Sequence, residues 1–232
     1  MSSITNAIDC FQIKVVVKPV GSIDEATFTD IFNRLSAMSS IELKELSIQP
    51  KNSSGNHGGN NWNVVFLSMA GNINGIMKLM FCRELYQDFT EYKLFQMHHQ
   101  IYVLFAIGLY DDPEHNPSWN VLDAEFAEVP VKKCLLFNAP EDFETNGKCI
   151  QPVPMVQTDI FLKAMLNNVA LDLLQSFEDI VTKMRTIEVI PSPKCLDDNI
   201  PKEMKHRLKS RAPSRLEKVT ADLYLLAGDF PR

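Results

Sequence analysis

The chain has 232 residues, of which 45% are hydrophobic and 22% are charged, so it is long enough for one sizeable α/β domain with a smaller part beside it. Its formal net charge of −6 argues against a nucleic-acid-binding protein, because neutralisation of phosphates by lysine and arginine supplies most of that affinity. The five cysteines are widely spaced and form no CxxC pair. We therefore expect neither a zinc site nor a disulfide framework.

The N-terminal residues lack the basic stretch and apolar run that are typical of a signal peptide. No apolar stretch of the sequence reaches the roughly 18 residues that a membrane-spanning helix needs. These features predict a cytosolic or nuclear protein whose cysteines are mostly reduced.

Residues 11–35 predict a strand, a tight turn and an amphipathic helix in immediate succession. Alternate positions of the strand are apolar: Phe11, Ile13, Val15 and Val17. Pro19 ends the strand, and Ser22 with Glu25 fits a capping box that would start a helix near Ile23. Apolar residues then recur at helical spacing: Phe28, Ile31, Phe32, Leu35 and Met38.

The turn between this strand and helix is the place where nucleotide-binding α/β domains carry a glycine-rich phosphate loop. Here the turn has one glycine, Gly21, and Pro19 has no N–H group to donate. Asp24 and Glu25 add negative charge where a phosphate would bind. The sequence therefore predicts the architecture of a nucleotide-binding domain without its chemistry.

The segments that follow are predicted from alternation, apolar runs and turn residues. In chain order they are a partly exposed strand at 41–48, an asparagine- and glycine-rich surface loop at 50–61, a strand covered on both faces at 62–70, a strand or short helix at 76–82, the central strand of the sheet at 100–110, a loop at 116–120, a short helix at 121–129, a buried strand at 133–137 and a proline-spaced linker at 151–154.

The longest periodic element is a helix predicted from Thr158 to about Thr186, about 40 Å long. Residues 191–213 read as a proline-containing basic linker. Ser214 and Glu217 repeat the capping-box pattern, and Gly228 suits the left-handed residue that follows a helix. The short helix predicted between Ser214 and Gly228 has a narrow apolar stripe, formed by Leu216, Val219, Leu223 and Leu226.

A lone amphipathic helix needs a partner, so the stripe on this last helix is predicted to bind one. We interpret residues 214–232 as the first helix of a truncated helical-repeat (solenoid) region. The predicted organisation is then an α/β domain at 1–190, the linker at 191–213 and this helix. The α/β domain is expected to have a mixed, mostly parallel sheet with flanking helices, in a GTPase-like or Rossmann-like wiring without a phosphate loop.

Few residues offer a catalytic or ligand-binding set. His98 and His99 are adjacent in an extended segment and point to opposite faces, so a structural or surface role is favoured over metal binding. Cys82 and Cys134 are read as inert core thiols. Asp111 and Asp112 end the central strand, where α/β folds often bind ligands, but a turn before Pro113 explains them equally well.

Residues 138–142 follow a late strand, as does the Asn-Lys-x-Asp base-reading motif of GTPases. Ala139 replaces the lysine and Glu141 stands in the place of the aspartate, so we reject that comparison. No catalytic, cofactor-binding or metal-binding residue is assigned. Five basic residues are candidates for contact with an anionic lipid surface or an acidic partner, although a solvated helix face is the simpler reading: Lys202, Lys205, Arg207, Lys209 and Arg211.

Two stretches carry a resemblance to a known family: residues 15–35 (VVVKPVGSIDEATFTDIFNRL), and residues 219–228 (VTADLYLLAG) after the basic run. They resemble the N-terminal region of the large TRAPP II subunit also called NIK- and IKKβ-binding protein, whose yeast relative is the 120 kDa TRAPP subunit. Residues 89–93 leading into 101–108, and the helix from Thr158, follow in the family's order.

The resemblance implies a non-catalytic scaffold subunit of a Golgi vesicle-tethering complex, TRAPP II, which supports guanine-nucleotide exchange on Rab GTPases. The implied partners are other TRAPP subunits and, indirectly, a Rab GTPase, with possible peripheral contact to Golgi membranes and no cofactor. The alternative is a divergent nucleotide-binding, GTPase-like α/β domain.

Overall fold

The computed structural model describes residues 11–46, 66–72, 74–84, 97, 100–140, 149–186 and 202–228, with the backbone alone for 202–212. The strands and helices in this part of the chain are β1 (Ile13–Pro19), α1 (Glu25–Ala37), β2 (Ser40–Glu42), β3 (Ile76–Cys82), β4 (Ile101–Leu109), α2 (His115–Glu125), β5 (Val131–Ala139), β6 (Ile150–Pro154), α3 (Thr158–Thr186) and α4 (Lys202–Leu226). Two short 3₁₀ turns cover Leu43–Glu45 and Leu67–Met69.

The strands form one curled, six-stranded sheet in the order β2-β3-β1-β4-β5-β6. β1, β3, β4, β5 and β6 are parallel, and β2 alone runs antiparallel, beside β3. The predicted mixed, mostly parallel sheet is confirmed. From β1 the chain moves to one side of the sheet, and from β4 it moves to the other. The order therefore reverses between β1 and β4, and in open α/β sheets ligands bind at the carboxyl ends of the strands at this switch point.

β4 lies in the interior of the sheet, between β1 and β5, as predicted from its sequence. Residues 102–108 are all buried, because a parallel strand with helices on both faces has no exposed side. Gly108 lets the chain pass close to Val20, since a Cβ at Gly108 would come within 3 Å of that valine's side chain.

The two faces of the sheet have separate cores. α2 covers one face with Trp119, Phe126 and neighbouring apolar residues over Val16, Leu104 and Leu136. α1, α3 and α4 cover the other face. The core on that face is the larger one, and it includes a nearly continuous row of buried residues from α3. The helix predicted at 158–186 is confirmed with the same bounds.

Four aromatic rings join helices α3 and α4 to the sheet. Tyr102 of β4 meets Phe177 of α3 edge-on at 5.2 Å, and Phe66 packs against Phe177 at 5.9 Å and stacks on Tyr224 of α4 at 4.7 Å. The Tyr102 hydroxyl donates to the carbonyl oxygen of Met97 at 3.0 Å, which satisfies the polar end of a buried ring. α3, α4 and the 3₁₀ turn at 67–69 are therefore held by one cluster.

The first helix begins two residues later than its sequence suggests. Its N-cap is Asp24, whose side chain accepts a hydrogen bond from the Thr27 N–H at 2.9 Å. The predicted Ser22–Glu25 capping box is therefore wrong, because an aspartate three residues before Thr27 caps the same turn and Ser22 stays in the preceding loop.

Several boundaries also differ from the predictions. In the described part of the strand predicted at 41–48, which is 41–46, only β2 is a strand, and it gives way to a 3₁₀ turn at Leu43. The described part of 62–70 is a 3₁₀ turn rather than a strand. The predicted loop at 116–120 is the first half of α2. The predicted linker at 151–154 is the edge strand β6, where proline is tolerated because one side of the strand needs no ladder hydrogen bond. The segment at 76–82 is a strand.

The last helix starts at Lys202 and runs through Pro213, so the predicted start at Ser214 is wrong and residues 202–213 are helical rather than a linker. Val219, Leu223 and Leu226 are buried, and the partly buried Leu216 packs against the same core. The stripe therefore has a partner within the chain, namely the α3 side of the α/β core. The assignment of this helix to a solenoid region separate from an α/β domain at 1–190 stays a prediction.

Gly228 is the second residue after α4 and has φ +90°, as predicted for the end of this helix. Its carbonyl oxygen accepts a hydrogen bond from the N–H of Ile76 at 3.3 Å, and a Cβ at this position would collide with the Ile76 carbonyl. Glycine is required here both by the left-handed backbone and by the close approach to β3.

Replacement of Leu223 by alanine tests the packing of α4. Because Leu223 is fully buried, we expect Leu223→Ala to lower the free energy of unfolding by about 3 kcal/mol in urea titrations. The control is Glu217→Ala, an exposed position of the same helix, which should change it by less than about 0.5 kcal/mol. Equal, small effects of the two variants would contradict the packing of α4 on the core.

Candidate functional site

The switch-point crevice is the candidate ligand site, and we define it by two loops. The loop after β1 contributes Val20, Gly21 and Ser22, and the turn after β4 contributes Asp111 and Asp112. β1 and β4 are paired up to Pro19 and Ile107, so their carboxyl ends bring these loops together. The sequence analysis singled out both loops separately but did not predict their contact.

The Asp112 carboxylate fills the crevice. Its Oδ2 accepts a hydrogen bond from the backbone N–H of Ser22, and its Oδ1 accepts one from the N–H of Glu114 at 2.9 Å. Gly21 has φ +72°, and a Cβ on it would collide with Asp112 Oδ2. A glycine is needed at this point both for the left-handed turn and for the approach of the carboxylate.

The charge of Asp112 is favoured by its surroundings. Hydrogen bonds from the N–H groups of Ser22 and Glu114 hold the pKa of the Asp112 carboxyl below its usual value, and the nearby His115 adds a smaller effect in the same direction. The His115 ring nitrogen Nδ1 also contacts the Asp112 carbonyl oxygen. Asp112 is thus a carboxylate at neutral pH.

A phosphate at this position would need the N–H groups of the β1–α1 loop. The N–H of Val20 donates to the carbonyl oxygen of Ile107 at 2.9 Å, that of Ser22 donates to Asp112, and Pro19 has none. The carboxylate of Asp112 therefore lies at the turn after β1, where nucleotide-binding α/β domains hold a phosphate. The geometry agrees with the prediction of a poor phosphate cradle and adds its cause, which the sequence analysis missed.

The carboxyl end of β3 is tied to the first turn of α1. The Arg83 guanidinium lies over the rings of Phe28 and Phe32, 5.1 and 4.7 Å from their centroids. Its Nη1 pairs with Glu25 Oε1 at 2.7 Å, and its Nη2 donates to the Thr29 hydroxyl at 2.9 Å. The carboxylate of Glu25 is therefore bound to an arginine at this edge of the sheet.

Two of the three cysteines among the described residues, Cys82 and Cys134, fit a structural role, whereas Cys149 is exposed. Burial raises the pKa of the Cys82 thiol, and it raises the pKa of Cys134 to about 12, so neither supplies a thiolate at neutral pH. Cys10, Cys195, His98 and His99 lie outside the described residues. Within the part of the chain that is described, no three His, Cys, Asp or Glu side chains come together as a metal site.

The residues proposed from sequence as partner-binding are placed in the core rather than on the surface. Leu216, Val219, Leu223 and Leu226 contact α3 and the sheet side of the core, so binding of a partner by them would require α4 to leave it. The basic residues of 202–211 lie on the helical backbone of α4, and their side chains lie outside what the structure describes.

The structure instead exposes a different apolar surface, which the sequence analysis missed because it assigned no role to the residues between the linker predicted at 151–154 and the helix predicted from Thr158. Met155, Val156 and Ile160 are 71%, 62% and 67% exposed, and they lie within six residues at the turn from β6 to α3. We call these three residues the β6–α3 patch. The signal in the sequence is the apolar pair between Pro154 and the helix start at Thr158.

The negative charge of Asp112 should make stability depend on pH. Because its pKa is lowered in the folded chain, its contribution is present above the ordinary aspartate pKa of about 4 and is lost as the pH falls through the lowered value. We expect the melting temperature of the wild type to fall more steeply below about pH 4 than that of Asp112→Asn. Asp111→Asn, at the exposed neighbouring position, is the control and should follow the wild type; parallel curves for all three proteins would contradict the assignment.

None of the described helices combines the length and apolarity needed to cross a bilayer.

A search of curated proteins finds no match. The family model for the N-terminal domain of Trs120/TRAPPC9 matches residues 5–204, which is most of the chain and includes both loops of the crevice. The chain therefore belongs to the Trs120/TRAPPC9 family, whose members are subunits of the TRAPP complex.

Proposed function

We propose that this chain is a non-catalytic scaffold subunit of the TRAPP II complex, acts at Golgi membranes from the cytoplasmic side, and supports Rab guanine-nucleotide exchange in vesicle tethering. The observation that carries this proposal is the family match over residues 5–204. The occupied switch-point crevice supports it, because the position at which α/β domains bind ligands is taken by the carboxylate of Asp112.

A scaffold subunit needs surfaces for its partners, and the β6–α3 patch has the properties of one. The turn that carries it is held in place: the Thr158 hydroxyl donates to the carbonyl oxygens of Pro154 and Met155 at 2.8 and 3.2 Å. Gln157 adopts φ +59°, a conformation that is uncommon for a residue other than glycine and persists where its surroundings fix it. Met155 and Val156 are therefore exposed on a fixed turn.

Clustered exposed apolar side chains mark interaction sites more often than single ones do, and Met is enriched at the buried centre of protein interfaces. Other subunits of the TRAPP complex are partners that family membership implies. We therefore propose that the β6–α3 patch contacts another TRAPP subunit. An anionic bilayer is a less suitable occupant, because the exposed Asp159 is adjacent to Ile160 in the chain and adds negative charge there.

The patch is tested by the double variant Val156→Asp/Ile160→Asp. We expect tagged wild-type protein, expressed in cells, to recover other TRAPP subunits, identified by mass spectrometry, and the double variant to recover at least about tenfold less, since a buried unpaired carboxylate is costly. The control is Val121→Asp, which changes a valine that is 68% exposed on α2 and should leave recovery unchanged.

The outcomes separate the surface from the function. Full recovery by a folded double variant would show that the patch is not the contact. Recovery of no TRAPP subunit by the wild type would count against the scaffold role itself. Circular dichroism of each variant checks whether the substitutions leave the fold intact.

The alternative function, a divergent GTPase-like domain, has a direct test. A ligand that binds the native state raises its melting temperature by mass action. At a ligand concentration of 100 times Kd, the free energy of unfolding increases by about 2.7 kcal/mol. We expect no shift of the melting temperature of this chain with millimolar GTP and magnesium ions, since the crevice is filled by Asp112. A concentration-dependent shift that magnesium enhances would favour the alternative.

Peripheral membrane contact by Lys202, Lys205, Arg207, Lys209 and Arg211 stays a prediction, and so does the continuation of α4 into a helical solenoid. The first is tested by sedimentation with anionic liposomes before and after charge reversal at these five positions. Unchanged sedimentation would remove the membrane-contact reading without touching the scaffold proposal.

A further inference from the structure

Asp112 reaches its partner across the fold. It is separated by 90 residues from Ser22, whose N–H it accepts, and it approaches on the side of Gly21 where any other residue would place its Cβ. Its second oxygen holds the N–H of Glu114 at 2.9 Å. One carboxylate therefore joins the loop after β1 to the turn after β4.

Two other carboxylates at this end of the sheet, those of Asp24 and Glu25, are bound elsewhere. Asp24 caps its own helix through the N–H of Thr27, at 2.9 Å, and Glu25 pairs with Arg83 at 2.7 Å. A turn role explains the contact of Asp112 with Glu114, because aspartate often bonds the backbone two residues on. It does not explain the contact with Ser22, which belongs to a different loop and closes the crevice.

We propose that Asp112 is the internal ligand of an anion-binding site formed by the N–H groups of Ser22 and Glu114, and that removal of its carboxylate opens this site to a small external carboxylate. The physical basis is the left-handed glycine, which turns the following N–H outward as in backbone anion sites. The carboxylate of formate, placed beside an alanine methyl group, has nearly the shape of the aspartate side chain.

The experiment uses Asp112→Ala of the full chain, with formate as the probe and chloride at equal ionic strength as the reference. We expect the variant to melt at a lower temperature than the wild type in chloride. We expect formate to raise its melting temperature by about 2 °C or more, in a saturable manner. Wild type and Asp111→Ala should show no such gain, because their crevice is already filled.

A second readout follows the contact itself. In ¹⁵N-labelled protein the Ser22 amide proton should lie at unusually low field in the wild type, move upfield in Asp112→Ala and return toward low field with formate. Asp112→Asn is the matched control: its amide still fills the space, so we expect it to fold and to show no response to formate.

If Asp112→Ala does not fold, Asp112→Ser takes its place, because serine keeps the local turn with Glu114 but is too short for Ser22. Equal melting temperatures of the variant in formate and chloride, with an unmoved Ser22 resonance, would overturn the proposal. So would a formate response of the same size in the wild type.

Discussion

The parallel strands at the centre of the sheet must be covered on both faces, and most of the structure follows from that requirement. β1, β4 and β5 have buried side chains on alternate sides, so one helical layer would leave half of them in water. α2 meets the need on one face, and α1, α3 and α4 meet it on the other. The apolar stripe of α4 is used for this purpose within the chain, which is why an assignment of that stripe to an outside partner does not agree with its burial.

The central part of the fold was predictable because strong periodicity and burial coincide there. The run at 101–109 is made of apolar, aromatic and β-branched residues, and the stripe of α3 repeats every three or four residues over 29 residues. The segments that were misjudged carry conflicting local signals. Prolines in 150–154 suggested a linker although the strand lies at the sheet edge. The capping-box pattern of Ser214 and Glu217 suggested a new helix in the middle of α4.

The crevice was predictable only in part. The single glycine and the proline of the β1–α1 loop indicate from sequence that a phosphate would bind poorly. That Asp112 takes its place depends on the pairing of β1 with β4 and on a 90-residue separation, which no local pattern contains. The exposure of Met155 and Val156 likewise depends on the left-handed Gln157 and on the hydroxyl of Thr158, because an apolar pair in sequence is more often buried than exposed.

The Arg83 side chain has a consequence for motion. Switch proteins driven by nucleotide hydrolysis use segments that become ordered with the γ-phosphate and relax after its loss. Here a guanidinium stacked on two phenylalanine rings and paired with Glu25 braces the first turn of α1 against the end of β3. The brace is made wholly of the protein's own side chains, so the position of this edge of the domain does not depend on a bound phosphate.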